Sequence, residues 1–274
     1  MGLIWLDGAL RDEDSAQVSV FDHGLTVGDG VFETLKTVEG RPFALTRHLD
    51  RLAASAAGLG LGEPDRDEVT RACREVLAAE PLPLGRLRIT FTAGRSPLSS
   101  ARGHARPTLV VAHGRATRRP DTTAVITVPW SRNENGALAG LKTTSYAENV
   151  LALARARQEA ASEALFANTA GHLCEGTGSN VFVVLDGEPH TPPLSAGPLA
   201  GITRALVLEW VGAKETDLPM DVLERAEEVF LTSSLRDVQA VRRVDGRDIP
   251  EVPGPVTERA LRVFQERSAA DIDP

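Results

Sequence analysis

The chain has 274 residues, 42% hydrophobic and 25% charged, with 24 glycines and 17 prolines; that suits one large domain or two modest ones and excludes extensive disorder. Thirty basic against 38 acidic residues leave a formal charge of −8, which argues against general affinity for nucleic acid or an anionic membrane surface. No apolar run nears the ~20 residues of a membrane span, the opening MGLIWLDGALRDEDSA lacks the basic flank and apolar core of a signal peptide, and the two cysteines, Cys73 and Cys174, fit a reducing, cytoplasmic setting rather than a disulfide framework.

In chain order, LIWLDG reads as a strand entering an Asp-Gly hairpin turn. Alternation over Gln17–Phe21 leads into a turn, FDHGLTVGDG, and VFETLKTVEGRPFAL then reads as two strands joined at Glu39-Gly40. Thr46 is placed to cap a helix through RHLDRLAASAAGL, closed by Gly58 and Gly60. A second helix is expected over Arg66–Ala79 with Val69, Cys73 and Val76 on one face, followed by strands in GRLRITFTAG and PTLVVAHG. The polar RATRRPDTTA serves as linker, giving an α/β (α+β) chain with a first domain over 1–114, a linker at 115–122 and a second domain over 123–274. In the second half a strand AVITVPW precedes a helix over Ser145–Ala161, whose Val150 and Leu153 imply a buried face. EALFANTAG and NVFVVLDG are expected to pair antiparallel. Helices from Ile202 and Leu223, a strand VFLTSS and a terminal helix over Pro255–Arg267 complete the chain.

Only three of the basic residues are lysines: Lys36, Lys142 and Lys214. Chemistry that needs an amine therefore has three candidates. Lys142, in GLKTTSYAENVLALARA, sits beside a Ser/Thr cluster ahead of a helix. It reads either as a solvated loop residue or as a Schiff-base former whose neutral amine a low-dielectric setting makes available. Glu175, in LCEGTGSNVFVV, is followed by flexible backbone at the mouth of a strand. It is either a polar turn residue or a carboxylate able to keep a pyridine nitrogen protonated. Gly201, Ile202 and Thr203 open a helix whose exposed N–H groups form an anion site, to which the Thr203 hydroxyl adds a donor. Ser233 and Ser234 end a strand ahead of a turn, a place suited to phosphate oxygens. Arg51 in RHLDRL is either a surface arginine or a charge-assisted fork.

Taken in order, FDHGLTVGDGVFETLKTVEG, RHLDRL, GLKTTSYAENV, CEGTGSNVF, GITR and LTSS resemble the fold-type IV pyridoxal-phosphate enzymes, also called class-IV aminotransferases, over nearly the whole chain. The resemblance implies a two-domain, D-amino-acid aminotransferase-like fold, pyridoxal 5'-phosphate as cofactor, small-molecule substrates and a homodimer. It also implies roles. Lys142 would form the Schiff base, Glu175 would meet the pyridine nitrogen, and Leu199 would pack on the ring face. Arg51, Ile202, Thr203, Ser233 and Ser234 would hold the phosphate. Tyr146, the chain's only tyrosine, falls one residue from the position where branched-chain transaminases place a tyrosine on the cofactor's phenolic oxygen. Lys36 then reads as a residue lining the site or the sheet, and Lys214 as solvated.

Within the family, D-amino-acid transaminases bind the substrate carboxylate with an Arg and a His in the loop that here reads GRSPLSSARG, with Leu98 and Ser100 in those places. Branched-chain transaminases tend to read F-E-G-[IL]-R where this chain has FETLK, with Thr34 replacing the glycine. The SVFDHG…GVFET…RPFAL pattern and the short length look closer to the aminodeoxychorismate lyases. The resemblance thus points to conversion of 4-amino-4-deoxychorismate to 4-aminobenzoate and pyruvate, with a transaminase of branched-chain or similar amino acids as the alternative. In the lyase, Lys142 would remove the ring proton and Thr34 or a neighbouring hydroxyl would protonate the leaving enol. Arg88, Arg95 and Arg102 are the candidates for the substrate's carboxylates.

Overall fold

The computed structural model describes residues 2–274, and the chain divides into two compact units. The first comprises the residues up to Arg118 together with Leu141–Tyr146 and Ile272–Pro274. It opens with a hairpin of β1 (Leu3–Leu6) and β2 (Ala9–Asp12) across Asp7 and Gly8, both at positive φ, as a type I′ turn demands. The alternating Gln17–Phe21 segment forms no strand. Asp22 behind it accepts from the Gly24 N–H and caps a single turn, α1 (His23–Thr26). Next come β3 (Gly30–Val38), β4 (Arg41–Pro42), α2 (Leu45–Gly58), α3 (Arg66–Ala79), β5 (Leu84–Thr92) and β6 (Thr108–Arg115). The six strands form one sheet in the order β2-β1-β6-β5-β3-β4.

Alternation along β3 sorts its side chains. Val31 and Leu35 are fully buried in a core with Leu52, Val76, Leu87 and Ile89, where each large aliphatic contributes roughly 1.5–3 kcal/mol. Phe32, Thr34 and Lys36 occupy the other face, in register with Thr90, Arg88 and Arg86 of β5. The start of α2 departs from expectation. Ala44, in a left-handed conformation, precedes the helix, and Thr46 lies inside it. The cap comes from Asp273, whose carboxylate accepts from the Thr46 N–H at 2.8 Å and from its hydroxyl at 2.6 Å. A carboxylate at this end also meets the positive pole of the helix.

The second unit comprises Arg119–Gly140 and Ala147–Asp271. Its elements are β7 (Thr122–Arg132), α4 (Ala147–Gln158), β8 (Glu163–Asn168), β9 (Leu173–Gly176), β10 (Asn180–Leu185), β11 (Glu188–Thr191), α5 (Ile202–Val211), β12 (Lys214–Glu215), α6 (Val222–Arg225), β13 (Glu228–Ser233), β14 (Asp237–Val244), β15 (Arg247–Asp248) and α7 (Pro255–Ala270). The sheet order is β12-β11-β10-β13-β14-β7-β8-β9, with β15 paired to β14.

Three expectations need correcting. EALFANTAG and NVFVVLDG do not pair: β8 takes β7 and β9 as neighbours, and β10 takes β11 and β13. On α4, of the two residues expected on the buried face Val150 is 65% exposed and Leu153 is half-buried, while Asn149, Ala152 and Ala156 are buried. The packed face is lined with small residues because it lies close against Phe166 and Ile126. Finally, Leu141–Tyr146 belongs with the first unit, although it was expected in the second domain. Thr143 bridges Val31, the Phe32 N–H donates to Lys142 O at 3.0 Å, and the Lys142 N–H donates to Ser55 Oγ at 3.2 Å. These contacts and a glycine at position 58, where a Cβ would lie 2.6 Å from Leu141, draw the segment onto β3 and α2.

Candidate active site

In the first unit the backbone bonds just described seat Lys142 beside β3. Its Nζ lies 4.4 Å from the centroid of the Phe32 ring and donates to Tyr146 Oη at 3.4 Å. The Tyr146 ring meets Phe32 edge-on at 5.1 Å, and the Arg88 guanidinium stacks on Phe32 at 3.6 Å. Lys142, Tyr146 and Arg88 thus share one aromatic ring, and Thr34 follows Phe32 on the same strand face, opposite Arg88.

The other face of β3 explains Arg51. Glu33, fully buried, accepts from Arg51 Nε and Nη2, both at 2.7 Å, and from His48 Nδ1 at 2.6 Å. Burial alone would raise the Glu33 pKa, but Arg51 and His48 hold it at about 2. Burial pushes the His48 pKa down, against the opposing pull of Glu33. The Arg51 side chain is only 11% exposed, which disposes of the surface-arginine alternative. The residue that orients it, Glu33, escaped the sequence reading because its partners lie 15 and 18 positions away.

Since the Glu33 pKa falls from 4.5 to about 2 on folding, its contribution to stability is complete above pH 4.5 and disappears as pH falls through 2. Glu33→Gln is expected to flatten that part of the acid-unfolding curve and, if Arg51 holds the cofactor phosphate as the resemblance implies, to weaken cofactor binding about tenfold through a less ordered Arg51, a loss within the range of one charge-assisted bond. Acid titration by circular dichroism and a cofactor titration check both effects.

The three arginines proposed for substrate carboxylates part company. Arg88 lies with Lys142. Arg102 is spent on a structural clamp: it grips Asp29 with Nε and Nη2 at 2.7 Å each and also donates to Leu59 O and Gly60 O. Arg95 lies over Phe21 in the same loop region. Lys36 is placed over the Phe43 ring, and Lys214 pairs with Glu188 on the surface.

In the second unit Glu175 stands on β9. Its Oε2 accepts from the Leu199 N–H at 2.9 Å, and Arg132 Nε lies 3.3 Å from Oε1. Arg132 is itself fixed by stacking on Phe166 and by bonds to Glu148 and Asn149; no local motif marked it in the sequence. The Leu199 carbonyl accepts from Asn180 and from the Gly201 N–H. Gly201 precedes α5 and brings no side chain to its first turn, and a Cβ there would lie 1.9 Å from Asn180 Oδ1. A ten-residue helix therefore begins with N–H groups uncapped by its own N-cap residue, at Ile202 and the buried Thr203. Ser233 closes β13, its carbonyl and hydroxyl both accepting from the Arg236 N–H, and Ser234 follows in the turn.

The model of the amino-transferase class IV family matches residues 30–244. A Methanocaldococcus jannaschii protein described as a candidate branched-chain-amino-acid aminotransferase is 33% identical, over 96% of this chain and 95% of its own. A Mycobacterium tuberculosis protein described as a bifunctional aminodeoxychorismate lyase and D-amino acid transaminase is 30% identical, over 92% and 94%. The crystal structure of a Thermoproteus uzoniensis branched-chain aminotransferase with norvaline superposes with a TM-score of 0.91 at 27% identity, covering 97% of this chain and 94% of that one. The chain belongs to the class IV aminotransferase family. Enzymes of this family depend on pyridoxal phosphate. Each unit carries groups whose chemistry suits that cofactor: the first a lysine amine against an aromatic ring and an arginine bound to a buried carboxylate, the second a carboxylate on a strand and a helix N-terminus preceded by a glycine.

Proposed function

We propose that this enzyme is a lyase that splits 4-amino-4-deoxychorismate into 4-aminobenzoate and pyruvate. The observation that carries the reading is Thr34, a hydroxyl on the Lys142 face of β3 and in register with Arg88. By the resemblance, branched-chain transaminases tend to have a glycine there, with no group to offer a leaving enol. The similarity to a bifunctional lyase and transaminase supports the same reading.

Pyridoxal phosphate supplies the electron sink. The protein's own groups do the rest. The Lys142 amine takes the proton from the ring carbon bearing the substrate nitrogen. As the carbon–oxygen bond to the enolpyruvyl group breaks, the Thr34 hydroxyl hands a proton to the departing fragment, which leaves as pyruvate. The ring becomes aromatic and the step needs no oxidant. Arg88 holds a substrate carboxylate; Arg102, committed to Asp29, does not. Arg51, Ile202, Thr203, Ser233 and Ser234 would hold the phosphate. With the cofactor bound, Leu199 would cover the ring, Glu175 would keep the pyridine nitrogen protonated, and Tyr146 would hydrogen-bond the phenolic oxygen. We further propose a homodimer in the cytoplasm, as the resemblance implies, with Val20, Leu25 and Leu98 of the first unit, 70%, 68% and 75% exposed, as apolar side chains that a second copy would cover.

A second reading, amino-group transfer from branched-chain or other amino acids, draws on the similarity to the Methanocaldococcus and Thermoproteus proteins. Two assays on one preparation decide. The lyase reading expects 4-aminobenzoate to form from aminodeoxychorismate, with transfer from L- and D-amino acids slower by about two orders of magnitude or more, equal to ~3 kcal/mol in the barrier. Efficient transfer without 4-aminobenzoate overturns it.

A further inference from the structure

In the second unit a carboxylate and a guanidinium that the proposed chemistry does not use are buried together. Glu163, at the start of β8, and Arg236, in the turn after β13, have side chains 2% and 4% exposed, with Glu163 Oε2 lying 3.6 Å from Arg236 Nη2. Around Glu163 the donors are unusually complete. Oε1 accepts from the Thr177 N–H at 2.9 Å, from the Thr177 hydroxyl and from the Ala164 N–H, and Oε2 accepts from the Ser179 hydroxyl at 2.8 Å. Gly176 allows the turn to wrap this closely, because a Cβ there would lie 2.5 Å from Ser179 Oγ and 3.0 Å from Glu163 Cδ. The turn that leaves Glu175 is therefore moulded onto the Glu163 carboxylate.

Arg236 is bound with similar completeness. Its guanidinium donates to Ser162 Oγ at 3.2 Å, to Ser162 O at 3.0 Å and to Gln239 Oε1, and its backbone N–H donates to Ser233. Burial pulls its pKa down to about 10 against the opposing pull of Glu163, so it stays charged at neutral pH.

We propose that Glu163 and Arg236 are positioning residues for the cofactor: the buried pair ties the Gly176–Ser179 turn to the Ser233–Arg236 turn and so sets the spacing between the groups that serve the two ends of one ligand. The inference rests on the reading above, in which Glu175 serves the pyridine nitrogen and Ser233 and Ser234 the phosphate. A buried pair is a poor way to gain stability, since apolar substitutes of both partners are often as stable. What such a pair does supply is one fixed distance between two turns.

The test separates spacing from stability in the full-length protein. Apo-protein is titrated with pyridoxal phosphate, its thermal midpoint is recorded, and the visible band of the bound cofactor is followed against pH, for Glu163→Gln, Arg236→Met and the double variant. Each single variant is expected to raise the cofactor Kd at least about tenfold and to move the pH at which the band titrates by at least about half a unit. The double variant removes both charges, so its thermal midpoint is expected to recover toward wild type while its Kd stays within about threefold of the single variants. If Kd recovers together with the midpoint, or if Glu163→Gln leaves both Kd and the band's titration unchanged, the pair is only structural and the proposal falls. Wild-type protein that binds the cofactor tightly yet shows neither lyase nor transferase activity would defeat the functional reading instead, without touching this result.

Discussion

Lys142→Ala is expected to abolish the visible band of covalently held cofactor and to lower turnover by several orders of magnitude, because in the proposed mechanism one amine serves both as the point of attachment and as the proton carrier. The structure adds reasons for its position. The Lys142 backbone is fastened to Phe32 and Ser55, so the side chain starts from a fixed point, and Nζ ends against the Phe32 ring and the Tyr146 hydroxyl. Lys36 is also on this unit, but it lies over Phe43; Lys36→Ala is expected to keep the band. Absorbance spectra of the two variants, with kcat measured beside them, are the check.

Glu175→Gln is expected to bind cofactor and attach it normally but to lose about two orders of magnitude in turnover, or about 3 kcal/mol at ~1.4 kcal/mol per decade. The amide keeps the size and can still accept from the Leu199 N–H. It lacks the negative charge proposed to hold a proton on the pyridine nitrogen, and its NH2 group would place a donor against the donor Arg132 Nε. The loss should appear in lyase and transferase assays alike, since both reactions begin by removing a proton. Turnover within about threefold of wild type would make Glu175 a turn residue.

Where local chemistry decides local structure, the sequence makes the element legible. The Asp7-Gly8 hairpin, the Glu39-Gly40 connection and α3 over Arg66–Ala79, capped by Asp65, all formed where turn residues and helical spacing indicate. The failures have a common cause. Val150 was read as buried because it is apolar, yet the face of α4 that packs closely needed alanines at 152 and 156. β10 was assigned the wrong neighbour because sequence proximity suggested β8, whereas β9 covers the far edge of β8 and β13 pairs with β10. Thr46 looked like a cap, but Asp273, more than two hundred residues away in sequence, supplies it.

The site divides in the same way. The residues proposed to carry the chemistry are each ambiguous alone but stand in motifs whose shared order makes them visible together: Lys142, Glu175, Arg51, Gly201 with Thr203, and Ser233. Residues that hold them are not. Glu33 looks like a charge on an alternating strand, Arg132 like a strand-end arginine and Glu163 like a polar strand start. Each acquires meaning only through a partner that the fold delivers. Arg102 shows the converse: a loop arginine that suits a substrate carboxylate by position is already bound to Asp29.

The most direct measurement is reduction of the cofactor-loaded enzyme with borohydride, followed by proteolysis and mass spectrometry of the labelled peptide. Reduction makes the link between cofactor and amine permanent, so the label reports which of three lysines the protein uses. The cofactor is expected on the peptide that carries Lys142 and on no other. Label on Lys36 or Lys214, or a cofactor-loaded enzyme that yields no labelled peptide, would contradict the assignment of Lys142 and with it the catalytic roles built around that amine.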